Sequence, residues 1–447
     1  MSSSFIFDQI TIDSIRGNVY FSYILTTDTR TYQFNEKITF PKVNKLNDKD
    51  VVVQKMLRAV HIALGMSYWK LFCPKEISFS SYQLSKASAD FWNIIYTKGL
   101  GEFYFKNAID YHHLIQFPFN ESLQDNPIDC IRKDRSLVGI GGGKDSIVSA
   151  CLLQKTGKHF HGFIVETQKK YPVTYEVSKE LRIENIIVQR FIDPQLFELN
   201  NSGDVFNGHV PISVIYAFLG VLCAYLYNYT NVIVSNERSS DSGNVEYLGE
   251  MINHQWSKSS EFELLLQRFI AQVFTPHIHY FSLLRSLSEL QIAQLFIKEK
   301  QFYPIFSSCN RNFTINNPGS NLWCGRCPKC AFTFILIAAY SSKEEVLDIF
   351  GDNYLNKEEL VPLFKQMLGS EGHKPFECVG TPEEAIVAMT LIHEAGAFED
   401  ALFMKEFIQN ILPDKRTVNK LKYDVLFSKS KYMIPSEFQS IISNITL

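Results

Sequence analysis

The segment Gly139-Ile-Gly-Gly-Gly-Lys-Asp-Ser146 follows directly on the apolar run Ser136-Leu-Val-Gly-Ile140. The pattern predicts a strand, a glycine turn and a helix starting near Ser146. A helix N-terminus carries unpaired N–H groups and a partial positive charge, so it suits phosphate. Consecutive glycines let the backbone approach phosphate oxygens without Cβ clashes. Lys144 adds a mobile cation, and Asp145 could hold Mg²⁺. Two commoner nucleotide motifs are excluded. The Walker pattern needs a glycine where Val138 stands and a Ser or Thr where Asp145 stands. The dinucleotide fingerprint would need its third glycine at Lys144.

A second constellation is Cys324-Gly-Arg-Cys327-Pro-Lys-Cys330, preceded by Cys309. Four thiolates can close a tetrahedral Zn²⁺ site, and an iron–sulfur cluster or free thiols are the rival readings. With four cysteine ligands no position stays open for a reactant, so the reading is a structural staple. Gly325 permits the tight turn, and Arg326 and Lys329 soften the charge of a thiolate centre. The remaining cysteines, Cys73, Cys130, Cys151, Cys223 and Cys378, are scattered. That usage fits a reducing cytosol with one metal site.

A third group follows the apolar strand Val232-Ile-Val234. In an open parallel sheet, ligands bind at the carboxyl ends of strands. Glu237 and Arg238 are therefore expected on the rim of the glycine loop, with a surface ion pair as the plainer alternative. Asn253-His-Gln-Trp-Ser-Lys258 adds His254 and Lys258, and Asn207-Gly-His209 adds another loop. Arg285 reads either as a phosphate contact or as a solvated helix charge.

The elements that must position these residues follow from periodicity. Residues up to about 45 alternate apolar and polar, which predicts an antiparallel sheet of three or four strands. Helical spacing begins at Asp48, and a second helix is expected over Ser85–Tyr96. A polar, proline-containing stretch at 120–135 reads as a linker. From 136 to about 300, candidate strands Leu137–Ile140, Phe160–Val165, Ile186–Arg190 and Val232–Val234 alternate with helices Ser146–Lys155, Thr174–Arg182, Pro211–Tyr227 and Ser259–Val273. The fold class is α/β: a doubly wound parallel sheet. An N-terminal α+β domain (1–130) precedes it. The sheet domain (131–340) carries the four-cysteine metal-binding segment, and a C-terminal helical region (341–447) follows.

Composition agrees. The 447 residues are 46% hydrophobic and 20% charged, and the net charge of −3 disfavours a nucleic-acid partner. Val205 to Asn236 has no charged residue. A buried helix and a central strand explain that stretch, so no membrane span is assigned. No signal peptide is seen, so a cytoplasmic location is expected.

The glycine loop resembles the PP-loop signature, Ser/Gly-Gly-Gly-x-Asp-Ser, of the N-type ATP pyrophosphatases. Those enzymes cut ATP between the α and β phosphates and leave an adenylated substrate. Over a longer range the chain resembles the bacterial ATP-dependent UDP-N-acetylmuramoyl-L-alanyl-L-glutamate epimerase family. The matching segments are Gly141-Gly-Gly-Lys-Asp-Ser146, Asn207-Gly-His-Val-Pro211, Ser235-Asn-Glu-Arg-Ser239, Asn253-His-Gln-Trp-Ser-Lys258, Ser308-Cys-Asn-Arg-Asn-Phe313, Trp323-Cys-Gly-Arg-Cys-Pro-Lys-Cys330 and Lys374-Pro-Phe-Glu-Cys-Val-Gly380. The resemblance implies adenylation of the terminal glutamate of UDP-MurNAc-L-Ala-L-Glu, with ATP and Mg²⁺, and then loss and return of its α-proton. ATP contacts are expected from Gly141, Gly142, Gly143, Lys144, Asp145, Ser146, Arg238 and Arg285. Chemistry is expected from Asp145, with Glu237, His254, His209 and Cys378 as candidates for moving the proton. Cys378 reads equally as a buried apolar cysteine. The cysteine cluster also resembles that of the 7-cyano-7-deazaguanine synthases, so a carboxylate-to-amide or nitrile ligase is the alternative. A non-catalytic nucleotide-binding regulator is the third reading.

Overall fold

The computed structural model describes residues 3–42, 46–314, 322–427 and 434–445. Its strands are β1 (Ser4–Asp13), β2 (Asn18–Thr26), β3 (Thr31–Thr39), β4 (Glu76–Phe79), β5 (Lys133–Gly139), β6 (Phe160–Thr167), β7 (Asn185–Phe191), β8 (Tyr229–Val234), β9 (Val245–Tyr247), β10 (Glu250–Ile252) and β11 (His279–Ser282). Nine of them form one sheet in the order β11-β8-β5-β6-β7-β3-β2-β1-β4, and β9 and β10 form a separate hairpin. The β11-β8-β5-β6-β7 portion is parallel throughout. The sheet is therefore mixed α/β and largely parallel.

The N-terminal strands are not a separate sheet. β3 pairs antiparallel with β7 through Lys37, Ile38 and Thr39 opposite Phe191, Arg190 and Gln189. Chemistry at that seam explains the junction. Arg190 of β7 forms a buried ion pair with Glu36 of β3. Tyr68 donates its hydroxyl to the same carboxylate at 2.8 Å. A buried charge needs such partners, so a register slip here would strand both ions.

Alternation along the parallel strands builds a core on each face. Leu137, Phe163, Val165 and Val232 enter one core, with the Ile212–Tyr227 helix. Val138, Ile164 and Ile233 enter the other, with the Lys144–Lys155 and Pro328–Ala338 helices. The charge-free stretch is thus a buried helix followed by β8. Among the described residues no helix is long and apolar enough to cross a membrane.

Several boundaries move. The helix after the glycine loop begins at Lys144 rather than near Ser146, because Gly143 already serves as its N-cap. The helix expected over Ser259–Val273 is α-helical only from Ser260 to Phe269, and it widens to a π turn over Ile270–Phe274. The short strands β4, β9, β10 and β11 carry too few residues for a periodic signal. The helices beyond 341 share their core with the Lys144–Lys155 helix.

Candidate active site

The glycine turn lies at the carboxyl end of β5. Gly142 has φ +82°, and a Cβ there would come within 2.6 Å of Val173 Cγ1, so only glycine fits. A Cβ on Gly143 would come within 2.8 Å of Ser308 Oγ, whereas one on Gly141 would meet nothing within 4 Å. The turn is thus packed on two glycines and open on the third, where a ligand can reach the backbone. The Ser307 N–H donates to the Gly142 carbonyl at 3.1 Å. A cavity of about 490 Å³ opens beside the turn, bordered by Gly139, Gly141, Val165, Val234, Asn236 and Asn310. It sits at the carboxyl ends of β5, β6 and β8, where an open parallel sheet binds ligands.

Lys144 differs from expectation. It is buried and ion-paired with Asp145 and Glu289, not a mobile cation. Burial alone would lower its pKa, but the two carboxylates more than offset this and raise it. Carboxylate oxygens of Asp145, Glu237 and Glu289 lie within 4.8 Å of one another. Burial, and the charges of Asp145 and Glu237, hold Glu289 up at about 7 against the opposing Lys144. Three carboxylates that close, two of them buried, gather hard oxygen donors around the ammonium of Lys144. Hard oxygen donors of this kind suit Mg²⁺, which binds one or two carboxylates and keeps its other positions for water and phosphate. Lys329, between two of the clustered cysteines, adds a half-buried ammonium whose field acts on Glu237 and Glu289.

Both candidate arginines are tied to protein groups. Arg285 is buried and donates to Glu263, to the Glu237 and Lys258 carbonyls and to Ser240 Oγ, at 2.6–3.1 Å. It fastens the two loops that carry Glu237 and Lys258. Replacing it would leave Glu263 buried without its counter-ion. Arg285→Ala is therefore expected to cost about 3–5 kcal/mol of folding stability, measured as a lowered urea midpoint. Arg238 donates to the Asp424 and Val425 carbonyls at 3.2 and 3.0 Å, which ties the rim to the Lys415–Leu426 helix.

Glu237 is buried on the expected rim just after β8. Beyond it stands a thiol centre. Cys378 Sγ accepts from Lys258 Nζ at 3.0 Å and lies in the field of the His254 ring. Nδ1 of that ring bonds Glu102, a residue that sequence reasoning missed. Burial opposes a thiolate at Cys378. Lys258 and His254 overcome it and hold the thiol well below its ordinary value. Burial likewise opposes charge on His254, but Cys378 and Glu102 hold it up at about 9. His209 Nδ1 lies 3.5 Å from the same Glu102 carboxylate. Burial and the charge of His254 push His209 down to about 3, and its Nε2 is buried with no hydrogen-bond partner.

The loop bearing Cys378 is held from both sides. Gln255 Nε2 donates to the Val379 carbonyl at 3.2 Å, and Asn244 Nδ2 to the Pro375 carbonyl at 2.9 Å. Asn310, which borders the cavity, is hydrogen-bonded to Glu377. Gly380 has no room for a side chain, since a Cβ would lie 2.2 Å from Glu384 Oε2 and 2.6 Å from Phe332.

The four clustered cysteines converge as their spacing suggests. All four sulfurs lie within 4.8 Å of one another. Cys324 and Cys330 are 3.7 Å apart, and Cys309 and Cys327 are 4.0 Å apart. Zn–S bonds of about 2.3 Å in a tetrahedron place sulfurs about 3.8 Å apart, so the set fits zinc.

Comparison with known proteins gives this arrangement a family. Residues 1–283 match the model of the MurL N-terminal domain, and residues 305–422 match that of the MurL C-terminal domain. The chain belongs to the MurL family. The relative from Micromonospora sp. is 34% identical over 447 residues, covering 98% of both chains, and is named UDP-N-acetyl-alpha-D-muramoyl-L-alanyl-L-glutamate epimerase. Relatives of the same name from Salinispora tropica and Xanthomonas oryzae are 34% and 35% identical, over 91% and 81% of this chain and 89% and 79% of their own. A solved tRNA thiolase from Methanococcus maripaludis is 11% identical over 40% of this chain and 60% of its own, with a TM-score of 0.27. The site draws on both MurL domains. Glu102, Asp145, Glu237, His254 and Lys258 lie in the first, and Cys378 and the four clustered cysteines lie in the second.

Proposed function

We propose that this chain epimerises the terminal L-glutamate of UDP-MurNAc-L-Ala-L-Glu to D-glutamate, converting ATP to AMP and pyrophosphate as it does so. The carrying observation is the adjacency of two different sites. A PP-loop turn with three convergent carboxylates stands beside a thiol–imidazole–carboxylate set, and Lys258 is charge-coupled to both. A relative matched over 98% of its length carries the epimerase name, which favours this reading over the deazaguanine-type ligase.

The chemistry needs both halves. A proton α to a carboxylate is weakly acidic because the anion resists a second charge. Adenylation removes that charge and makes the carbonyl an electron sink. The open Gly141 backbone and the N-terminus of the Lys144–Lys155 helix receive phosphate oxygens, and Lys329 supplies the cation that buried Lys144 cannot. Asp145, Glu237 and Glu289 would hold Mg²⁺, which when bound screens the phosphates. On the far side, His209 and His254 share Glu102, one neutral and one protonated. Environments that push two groups apart in this way mark an acceptor and a donor for the α-proton. Incubation with ATP and the UDP-linked L-Ala-L-Glu substrate in D₂O should yield AMP, pyrophosphate and D-glutamate carrying deuterium at Cα. Product without deuterium would rule out proton exchange.

The four-cysteine set is assigned to a structural Zn²⁺. Its work is to fix the segment that presents Lys329. Cys327→Ser should lower bound zinc to well under one per chain by elemental analysis and lower the melting temperature. Purified wild-type protein with no metal would overturn the assignment.

A further inference from the structure

We propose that Cys378 accepts the activated glutamyl group as a thioester before the α-proton moves. This rests on the epimerase reading above and adds a covalent step to it. Glu102 orients the His254 ring through Nδ1, and the charge of that ring acts on Cys378, so a nucleophile, an imidazole and an orienting carboxylate are grouped as in activated thiols. Lys258, 3.0 Å from the sulfur, adds a second positive partner. Two buried thiols outside the four-cysteine set run the opposite way. Burial pushes Cys73 and Cys151 up to about 12, which leaves them inert. The sulfur also stands next to the activation site. Glu377 adjoins Cys378 and is bonded to Asn310 of the nucleotide cavity wall. Lys258 feels Glu237 and Asp145 as well as the sulfur. A thiolate held there meets the adenylate carbonyl as it forms.

A sulfur lone pair attacks the carbonyl carbon, the C–S bond forms, and the C–O bond to phosphate breaks. That electron pair leaves with AMP. The thioester carbonyl carries no negative charge, so the α-proton is acidic enough to pass to His209. His254 returns a proton to the opposite face. Water then adds to the carbonyl with its proton passing to His254, the C–S bond breaks, and the thiolate is regenerated. His209 releases its proton to solvent. Departure of AMP before the proton step means that the adenylate is not lost to water with its configuration unchanged.

The test is Cys378→Ala, assayed with ATP, Mg²⁺ and UDP-MurNAc-L-Ala-L-Glu radiolabelled in the glutamate. The expected variant keeps ATP–pyrophosphate exchange within about tenfold of wild type, which shows that it is folded and adenylating. Its net AMP release and its D-glutamate formation fall together by at least about 10³-fold. Acid-quenched wild type carries label on the Cys378 peptide that neutral hydroxylamine removes, and the variant carries none. A variant that still makes D-glutamate within tenfold of wild type would overturn the thioester and leave the epimerase reading standing. So would a variant that loses D-glutamate but releases AMP at the wild-type rate, because the thiol would then act only on the proton. Wild type that makes no D-glutamate at all would overturn the epimerase reading itself.

Discussion

Asp145→Asn is expected to lower AMP formation by at least about 10³-fold, roughly 4 kcal/mol of transition-state stabilisation, with little change in the melting temperature of the metal-free protein. The two effects separate because Asp145 stands at the edge of its cluster. Its side chain is 25% exposed, while Glu289 and Lys144 are almost fully buried and paired with each other. Removing the Asp145 charge leaves that buried pair intact, so the fold loses little. It also relieves repulsion among three carboxylates whose oxygens lie within 4.8 Å of one another. What disappears is the oxygen donor nearest the helix N-terminus and hence the cation site for the phosphates. Mg²⁺ with a non-hydrolysable ATP analogue should raise the melting temperature of wild type and leave that of Asp145→Asn unmoved. Glu289→Gln makes the contrast, since it strands Lys144 in the interior and should lose stability as well as activity. An Asp145→Asn enzyme within tenfold of wild type would remove the acidic cluster from the mechanism.

The parts of this site legible in the sequence are those written locally. Three glycines in a row, a strand before them and an Asp-Ser after them describe the turn without reference to the rest of the chain. The cysteine spacing does the same for the sulfur cluster. Lys144 departs from its local pattern for a physical reason. A lysine after a phosphate-type turn is expected to face the ligand, but burial reverses that expectation, and burial depends on Glu289, which lies 145 positions away. Glu289 itself opens a helix behind Ser288, whose capping box with Gln291 is a sufficient local reason for a polar start, so nothing marks it as functional. Arg285 carries the charge of a phosphate ligand but uses its donors inside the protein. The polar stretch at 120–135 suggests that the N-terminal strands stand apart. The stretch is irregular only to Arg132, since Lys133–Arg135 already open β5, and β3 returns to pair with β7 because Glu36 and Arg190 need each other. Long-range charge partners of this kind have no period and no spacing, so a single sequence does not display them.

Glu102→Gln should reduce D-glutamate formation by about 10²–10⁴-fold and leave ATP–pyrophosphate exchange unchanged. Glu102 reaches the site from the short Gly101–Lys106 helix of the N-terminal part, 152 positions from His254. Burial would raise its carboxyl, but His254, His209 and Lys106 overcome this and hold it at about 2, so it is fully ionised at neutral pH. That fixed charge keeps the proton on His254 rather than on Cys378. Raised from 6.5 to about 9, His254 contributes stability that is complete below pH 6.5 and gone once pH passes about 9. Cys378, depressed below 9.0, contributes stability that is present above pH 9 and lost as pH falls through its lowered pKa. Over the part of the range up to pH 9 that lies above both 6.5 and the lowered Cys378 pKa, the two slopes oppose each other and stability changes little with pH. With Gln at 102, burial dominates, His254 falls, and the proton returns to sulfur. The expected signature is an upward shift in the pH midpoint of Cys378 alkylation, together with weaker thiolate absorbance at neutral pH. A Glu102 that merely supported the fold would lower the melting temperature without moving that midpoint. An unmoved midpoint would therefore remove Glu102 from the charge relay between the imidazole and the thiol.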